Sequence, residues 1–285
     1  MSTKKVWFVT GASKGLGLAL VKKLLANGYR VAATSRSVES LIHEAGPVSE
    51  EFLPLAMDVT SDNNVKEAVA KTVDHFGSID VVVNNAGFGL VGTLEELSDE
   101  EVRDNFNVNV FGPLNVIRHV APHMRHQKSG HIFNISSIGG YSGGFPGFGI
   151  YCSTKFAMAG FSEALAEEMK GFNVHATVVY PGYFRTNFLS KGSIKTSASP
   201  IDDYKSARES EKAHLNQIDG NQSNDPEKAA EALITVSEQA DPAVHLFLGA
   251  DASEIAHQKI KLIEEALSSN EQLSKSTLIV ADQKQ

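Results

Sequence analysis

An α/β domain with a doubly wound parallel sheet of about seven strands is the fold class that this sequence predicts. Short apolar runs alternate with segments of helical periodicity from residue 6 to residue 267. One run, 79–83, is apolar except for Asp80, which is typical of a strand buried on both faces of a parallel sheet. A length of 285 residues suffices for one large domain but not for two generous ones.

The first half of the chain supplies four of the strands. We expect them at 6–9, 30–35, 52–57 and 79–83. We expect helices at 16–27, before Gly28, and at 62–76, where apolar residues recur at helical spacing. Ser98 and Glu101 form a capping sequence at the start of one long helix that continues toward Met124.

The second half continues the alternation and contains one exception. We expect strands at 131–135, 174–179 and 244–248, and helices at 151–169, 226–238 and 253–267. The segment 183–225 has little periodicity and is either a disordered insertion or a lid. Its place after the carboxyl end of a strand, where ligands bind in such sheets, favours a lid. We therefore predict a single domain over 1–270 and a partly ordered tail over 271–285.

Composition excludes several classes of function. A net charge of −8, from 26 basic and 34 acidic residues, argues against a nucleic-acid-binding protein. The single cysteine, Cys152, allows no internal disulfide and no cysteine-based metal site. His119, His123 and His126 share a helix, but no carboxylate or cysteine completes a metal site, so we expect no metal. No apolar run approaches a signal peptide or a membrane span, so we expect a cytoplasmic protein.

A glycine-rich turn between the first strand and the first helix predicts a nucleotide site. Gly11 allows the tight turn, Gly15 leaves room for a pyrophosphate, and Gly17 lets the helix pack closely on the strand. The helix that follows directs its positive N-terminus at the bound anion. A glycine-rich turn alone is a weak signal, but here the strand and helix that the motif requires are both present.

The charges near this turn favour NADP(H) over NAD(H). An NAD site needs a carboxylate at the end of the second strand, and the sequence there has Arg36 instead. Arg36 and Lys14 are two cations placed where a 2′-phosphate would lie. Asp58, after the third strand, is a candidate acceptor for the adenine amino group, or else an ordinary turn aspartate.

A second group of residues has the chemistry of an acid/base site. Tyr151 and Lys155 are four residues apart and share one helix face. A nearby ammonium lowers the pKa of a tyrosine by favouring phenolate, and such a tyrosine can exchange a proton with a carbonyl or alcohol oxygen. Ser137 follows a strand and is separated from Tyr151 by a loop with six glycines. The loop can fold back and bring the serine hydroxyl beside the phenol.

Taken together, these motifs resemble the short-chain dehydrogenase/reductase family in its single-domain, Rossmann-like form. The matching residues are Thr10 to Gly17, Asp58, Asn84 to Gly87, Asn109, Ser137, Tyr151, Lys155, Pro181, Gly182 and Thr186. The resemblance implies that Tyr151 is the acid/base, that Lys155 lowers its pKa and holds the nicotinamide ribose, and that Ser137 orients the substrate oxygen. It also implies that Asn109 holds a water that relays protons from Lys155.

The resemblance extends to the cofactor and to the assembly. The implied cofactor-binding residues are Gly11, Ser13, Lys14, Gly15, Leu16, Arg36, Asp58, Val59, Asn85, Ala86, Gly87, Tyr151, Lys155, Pro181, Gly182 and Thr186. Thr186 would meet the nicotinamide carboxamide. The family favours a homodimer or homotetramer through its two long helices. Within it, the chain resembles the hydroxysteroid and retinol dehydrogenase-like branch, although its serine–tyrosine spacing is about one residue longer.

We therefore predict an NADP(H)-dependent oxidoreductase that interconverts a secondary alcohol and a ketone. Seven aromatic residues are expected around the site and favour a bulky apolar substrate: Phe88, Tyr141, Phe145, Phe148, Tyr183, Phe184 and Phe188. One alternative is a non-catalytic NADP sensor or scaffold on the same fold. Another is an epimerase or dehydratase, although extended relatives of that kind carry a different glycine spacing and a larger C-terminal domain.

Overall fold

The computed structural model describes residues 4–190 and 192–279. The strands in this part of the chain are β1 (Val6–Val9), β2 (Arg30–Ser35), β3 (Phe52–Ala56), β4 (Val81–Asn84), β5 (Gly89–Val91), β6 (Gly130–Ile135), β7 (Val174–Pro181), β8 (Ile194–Thr196) and β9 (His245–Leu248). Seven of them form the main sheet in the order β3-β2-β1-β4-β6-β7-β9, and β5 pairs with β8 in a small separate sheet. All neighbouring pairs are parallel.

Helices cover both faces of the main sheet. They are α1 (Gly15–Ala26), α2 (Val38–Ala45), α3 (Asp62–Phe76), α4 (Asp99–Phe106), α5 (Gly112–Gln127), α6 (Gly149–Lys170), α7 (Lys205–Ala213), α8 (Pro226–Ser237), α9 (Ala250–Ser269) and α10 (Glu271–Lys275). Phe8 and Val82 face a core formed with α3, α5 and α6, whereas their neighbours Trp7 and Val83 face a core formed with α1, α2 and α8. This two-sided burial confirms the predicted doubly wound fold.

The strand order reverses beside β1, which lies between β2 and β4. In open sheets of this kind, ligands bind outside the carboxyl ends of the strands at that reversal. The glycine-rich turn after β1 and the segment after β4 both lie there. The fold thus brings the two motifs that the sequence separates by about seventy residues to one edge.

The prediction of a single long helix from 98 toward Met124 is wrong, because the structure has two helices there. The Ser98 capping box is present, but a π-helical turn over 107–111 separates α4 from α5. The amide of Gly112 bonds to the carbonyl of Asn107, five residues back. In an α-helix the carbonyl of Asn109 would accept a hydrogen bond from the amide of residue 113. Because residue 113 is a proline and has no N–H, that bond is missing, which accounts for the wider turn here.

The segment 183–225 contains regular structure that its lack of periodicity did not predict. It includes β8, α7 and a π-helical turn over 214–218. β8 pairs with β5, and the short bridge between Phe184 and Asn224 closes the base of the segment. We call this segment the lid. Of the tail 271–285, residues 271–275 form α10, and residues 280–285 lie outside the described part.

In residues 4–190 and 192–279, no helix is both long and apolar enough to cross a lipid bilayer. The predicted homodimer or homotetramer stays a prediction.

Candidate active site

One cavity of about 650 Å³ opens at the carboxyl ends of the central strands and extends under the lid. Every residue predicted to bind the cofactor lines it, as do Ser137, Tyr151 and Lys155. Asn109 is the one predicted site residue that does not. The cavity therefore joins the glycine-rich turn to Ser137, Tyr151 and Lys155 in a single space.

The glycine-rich turn has a backbone that other residues would strain. Gly11 and Gly15 have φ values of +64° and +58°, in the left-handed region. A Cβ on Gly11 would lie 2.7 Å from the Cα of Ala86, and one on Gly17 would lie 2.8 Å from the Gly11 carbonyl oxygen. A Cβ on Gly15 would meet only Thr186, at 3.7 Å. The turn thus leaves open space at Gly15, where a pyrophosphate needs it.

The segment after β4 holds this turn in place. The hydroxyl oxygen of Thr10 accepts hydrogen bonds from the amides of Asn85 and Ala86, both at 3.0 Å. The side-chain amide of Asn85 donates to the carbonyls of Thr10 and Gly11 at 2.9 and 3.0 Å. The Asn85 side chain therefore fixes the glycine-rich turn, and Asn85, Ala86 and Gly87 all line the cavity.

The two predicted phosphate-binding cations lie at the cofactor end of the cavity. Burial and the nearby positive charge of Arg36 together lower the pKa of Lys14, so the two side chains are close enough to repel each other. The Lys14 ammonium also donates to the carbonyl of Gly192 in the lid at 2.9 Å. An anion between these cations would relieve their repulsion.

Asp58 lies at the same end and behaves as the turn aspartate that the sequence left open. One of its carboxylate oxygens accepts bonds from the Thr60 amide and hydroxyl at 2.9 and 2.8 Å. Asp58 and Val59 nevertheless line the cavity, so the second carboxylate oxygen can still serve an adenine.

Ser137 and Tyr151 come together because the loop between them folds back onto α6. At Gly140 a Cβ would collide with Ser136 Oγ and the Lys155 carbonyl, so this close passage requires glycine. Burial raises the pKa of Tyr151, and a hydrogen bond with the Ser137 side chain opposes that rise. The serine hydroxyl is therefore beside the phenol.

Lys155 is buried near the Tyr151 ring. Its Nζ donates to the Ile135 carbonyl at 2.8 Å and lies 5.8 Å from the centre of the Tyr151 ring. Burial lowers the pKa of Lys155 to about 7, so the ammonium is only partly charged at neutral pH. The net effect of these protein groups is to raise the pKa of Tyr151, which keeps the phenol protonated. The predicted lowering of this pKa by Lys155 stays a prediction.

Asn109 is fully buried behind the cavity wall. Its side chain accepts from the Phe88 amide and donates to the Phe88 carbonyl, both at 3.0 Å, and donates to Thr154 Oγ1 at 3.1 Å. The π-helical turn places it there. Its side-chain amide is thus committed to Phe88 and Thr154, and the predicted water-holding role stays a prediction.

The other end of the cavity is largely aromatic. Of the seven predicted aromatic residues, Phe88, Phe145, Phe148, Tyr183, Phe184 and Phe188 line it. Tyr141 does not, because its ring packs against Tyr180 and Phe247 instead, with ring centres at 5.6 and 5.1 Å. Cys152 lines this end too, and burial raises its pKa to about 11, which leaves it an unreactive thiol at neutral pH.

Three lid residues that matter for the cavity were missed by sequence reasoning. His214 and Gln222 line it, and the side-chain oxygen of Gln222 is buried without a hydrogen-bond partner. Arg208 in α7 pairs with the fully buried Glu96 carboxylate at 2.7 Å and so ties the lid to the segment after β5. Each depends on contacts across many residues in a segment without periodicity, so no local signal marks them.

Comparisons with known proteins bear on the family of this chain. A family model described as short chain dehydrogenase matches residues 5–196. The chain is similar to Oxidoreductase BOA17 of Botryotinia fuckeliana, at 36% identity over 261 residues, 91% of this chain and 94% of that protein.

Solved structures extend the similarity. The crystal structure of a short-chain dehydrogenase from Streptomyces avermitilis superposes with a TM-score of 0.89 at 33% identity, covering 98% of this chain and 100% of that one. ElxO with NADP bound superposes with a TM-score of 0.71 at 29% identity, covering 86% and 96%. Structures with this fold hold NADP or NADH.

Proposed function

Because the chain belongs to the short-chain dehydrogenase family, and so is an oxidoreductase of the alcohol/ketone type, we propose a more specific activity. The protein interconverts a bulky apolar ketone and its secondary alcohol, with NADP(H) as the cofactor. One observation carries the proposal. A single cavity joins the glycine-rich turn and two cations at one end to Ser137, Tyr151 and an aromatic wall at the other.

NADPH, when bound along the glycine-rich turn, would supply the hydride. Tyr151 donates its phenolic proton to the carbonyl oxygen, because burial keeps the phenol protonated at neutral pH. Ser137 donates a hydrogen bond to the same oxygen as negative charge develops on it. Lys155 holds the ribose side of the cofactor. Its Nζ lies beside Gly87, since a Cβ built on that glycine would be 3.6 Å away.

Because the pKa of Tyr151 is raised, the pH determines whether ketone reduction or alcohol oxidation is favoured. Reduction needs the protonated phenol, and oxidation of the alcohol needs the phenolate. We therefore propose that ketone reduction dominates near neutral pH and that alcohol oxidation increases as the pH rises. A cationic nicotinamide ring beside the phenol would favour phenolate and move this transition to lower pH.

The preference for NADP(H) depends on Lys14 and Arg36. A charge-assisted contact to a 2′-phosphate contributes about 1.5–3 kcal/mol, which is roughly tenfold to a hundredfold in affinity. Arg36→Ser should therefore weaken NADPH binding at least tenfold and leave NADH binding within about twofold. Lys22→Ser, at an exposed position of α1 outside the cavity, is the matched control.

A panel of ketones and alcohols assayed with both NADPH and NADH tests the proposal. We expect aryl and polycyclic ketones to be reduced, with kcat/KM for NADPH more than about tenfold above that for NADH. A comparable preference for NADH would overturn the assignment of Lys14 and Arg36. Tight NADPH binding without turnover of any ketone would overturn the enzymatic proposal.

A further inference from the structure

A polar pair lies in the aromatic end of the cavity and is not used by the proposed proton transfer. Tyr183 follows β7, and His214 begins the π-helical turn in the lid. Both line the cavity. The Tyr183 hydroxyl oxygen and His214 Nε2 are 2.9 Å apart, and the His214 side chain is buried. A polar pair in such surroundings needs satisfied hydrogen bonds, so the positions of its protons can be derived.

The proton on His214 is fixed by its other ring nitrogen. Nδ1 lies 2.7 Å from the carbonyl oxygen of Ser210. A carbonyl oxygen only accepts, so Nδ1 must carry a hydrogen and donate it. In the neutral ring, Nε2 is then an acceptor, and the Tyr183 hydroxyl must donate to it.

This arrangement determines what Tyr183 can offer a ligand. Its only hydrogen is committed to His214, so its oxygen can act toward the cavity only as an acceptor. The backbone of Tyr183 is also fixed, because its amide donates to an Asp251 carboxylate oxygen at 2.7 Å. The other Asp251 oxygen accepts from Asn224 at 2.8 Å, so Asp251 holds the tyrosine in place.

The acceptor belongs to the same group of contacting rings as the reacting phenol, and Tyr183 is near enough to Tyr151 to contribute to its raised pKa. Ring contacts connect His214 to Phe148, at 4.5 Å between centres, and Phe148 to Tyr151, at 6.5 Å. The acidic residues that line the described cavity are directed elsewhere: Asp58 bonds to Thr60, and Asp104 pairs with Lys195 at 3.3 Å. The ligand group that fits this acceptor is therefore a neutral donor rather than an ammonium ion.

We propose that Tyr183, positioned by His214, accepts a hydrogen bond from a hydroxyl group that the substrate carries near its carbonyl carbon. This inference rests on the proposed ketone reductase activity and gives it a substrate class, the hydroxy ketones with a bulky apolar body. A ketone without the hydroxyl would leave the buried acceptor unpaired, and its binding would be weaker for that reason.

Matched substrates test the inference. The probes are aryl ketones with a hydroxyl on the carbon next to the carbonyl or on the carbon after it, their methyl ethers, and the parent ketones without the oxygen. For the wild-type enzyme with NADPH, we expect kcat/KM for the better hydroxy ketone to exceed that for both analogues by about tenfold. Most of the difference should be in KM, since the contact is made in the bound ground state.

Three variants separate recognition from a structural role. Tyr183→Phe keeps the ring and should reduce the hydroxy-to-methoxy ratio of kcat/KM to about one or two. His214→Phe frees the phenolic hydrogen, so the ratio should fall to one or below, because Tyr183 can then donate to the ether. Tyr141→Phe, which removes a phenol outside the cavity, should keep the wild-type ratio. A purely structural role would lower activity on all three probes equally and leave the ratios unchanged.

Failure of this inference can be distinguished from failure of the proposed reductase function. If the wild-type enzyme reduces the parent ketones but shows a hydroxy-to-methoxy ratio below about two, this inference is overturned and the reductase proposal stands. The same follows if Tyr183→Phe keeps a tenfold ratio. If no ketone is turned over, the proposed function fails. The acceptor role of Tyr183 is then tested by calorimetry, which compares the binding of the hydroxy and methoxy alcohols to the protein–NADP complex. Equal affinities there would also overturn the acceptor role of Tyr183.

Discussion

The two ends of the cavity are built in different ways. At the cofactor end the main chain determines the shape: Gly11 and Gly15 have positive φ values, and Thr10 and Asn85 lock the turn from behind. At the lid end the shape comes from side chains, with Phe148, Tyr183 and His214 supplied by segments far apart in sequence.

The two kinds of construction tolerate substitution differently. A residue whose backbone conformation or lack of a side chain makes the site cannot be replaced without distorting it. A residue that contributes only its side chain can be exchanged, which alters the ligand and not the fold. Substitutions at the two ends and at their junction should therefore have different consequences.

Tyr151 is at the junction, and its replacement should have the largest effect. Tyr151→Phe removes the proton donor but keeps the ring that packs near Phe188, at 6.0 Å between centres. We expect ketone reduction to fall about a thousandfold or more, with the Kd for NADPH within about twofold. Steady-state turnover and NADPH fluorescence titration measure the two quantities. Ordinary turnover in this variant would show that the proton comes from elsewhere.

Gly11→Ala should distort the glycine-rich turn at the cofactor end of the cavity. Its Cβ would lie 2.7 Å from Ala86 Cα, and the left-handed backbone adds strain. We expect the free energy of unfolding to fall by about 3 kcal/mol and NADPH binding to be lost. Gly28→Ala is the matched control, since its φ of +73° gives strain but its Cβ meets nothing within 4 Å. That variant should lose only about 1 kcal/mol in urea unfolding. Equal losses would contradict the backbone argument.

Lys155→Met should stabilise the protein while it removes a functional group. The pKa of Lys155 is about 7 in the folded state and 10.5 in the reference state. The unfolded chain therefore binds more protons at Lys155 between these values, so the destabilisation that this one group causes is full below pH 7 and decreases as the pH rises across that window. We expect the methionine variant to be more stable by about 2 kcal/mol at pH 6 and by less at pH 9.

Thermal unfolding at pH 6 and pH 9 checks this expectation. Lys22→Met, at an exposed lysine, should show no such pH-dependent difference. A methionine variant at position 155 that is less stable than wild type at both pH values would mean that the Ile135 hydrogen bond outweighs the cost of burying the amine.

Arg208→Met should have the smallest effect and act only at the lid end. Burial would raise the pKa of Glu96, but amides of Ile201 and Thr93 and the guanidinium of Arg208 hold it below its ordinary value. Without Arg208 the two amides still bond the carboxylate, so the lid loosens but is not released. We expect KM for the ketone to rise about threefold and the Kd for NADPH to stay within about twofold.

Lys212→Met, on the exposed face of the same helix, is the control for Arg208→Met and should leave both values unchanged. A change in NADPH affinity larger than the change in ketone KM would contradict the separation of the two ends.

The same division explains what the sequence could predict. The glycine-rich turn and the pair Tyr151–Lys155 are recognisable because local backbone geometry restricts which residues fit and how far apart they stand. The π-helical turn that buries Asn109 was missed, since it depends on Pro113 and on contacts with Phe88, 21 residues away. The Tyr183–His214 contact joins residues 31 positions apart in a segment without periodicity.

Tyr141 is a residue that the sequence analysis placed wrongly in the cavity wall. Composition and position placed it in the aromatic wall, but an aromatic side chain packs wherever complementary area is available. Here Tyr180 and Phe247 supplied that area, and no sequence pattern distinguishes this environment from the cavity.

The most direct test is to follow the hydride. A bulky aryl ketone is reduced with NADPH in which both hydrogens at C4 are deuterium, and the product alcohol is examined by NMR. If the two ends of the cavity serve one hydride transfer, the product carries a single deuterium on its carbinol carbon and the cofactor is recovered as NADP. An unlabelled product, or a converted substrate with the cofactor returned unchanged as NADPH, would contradict the account.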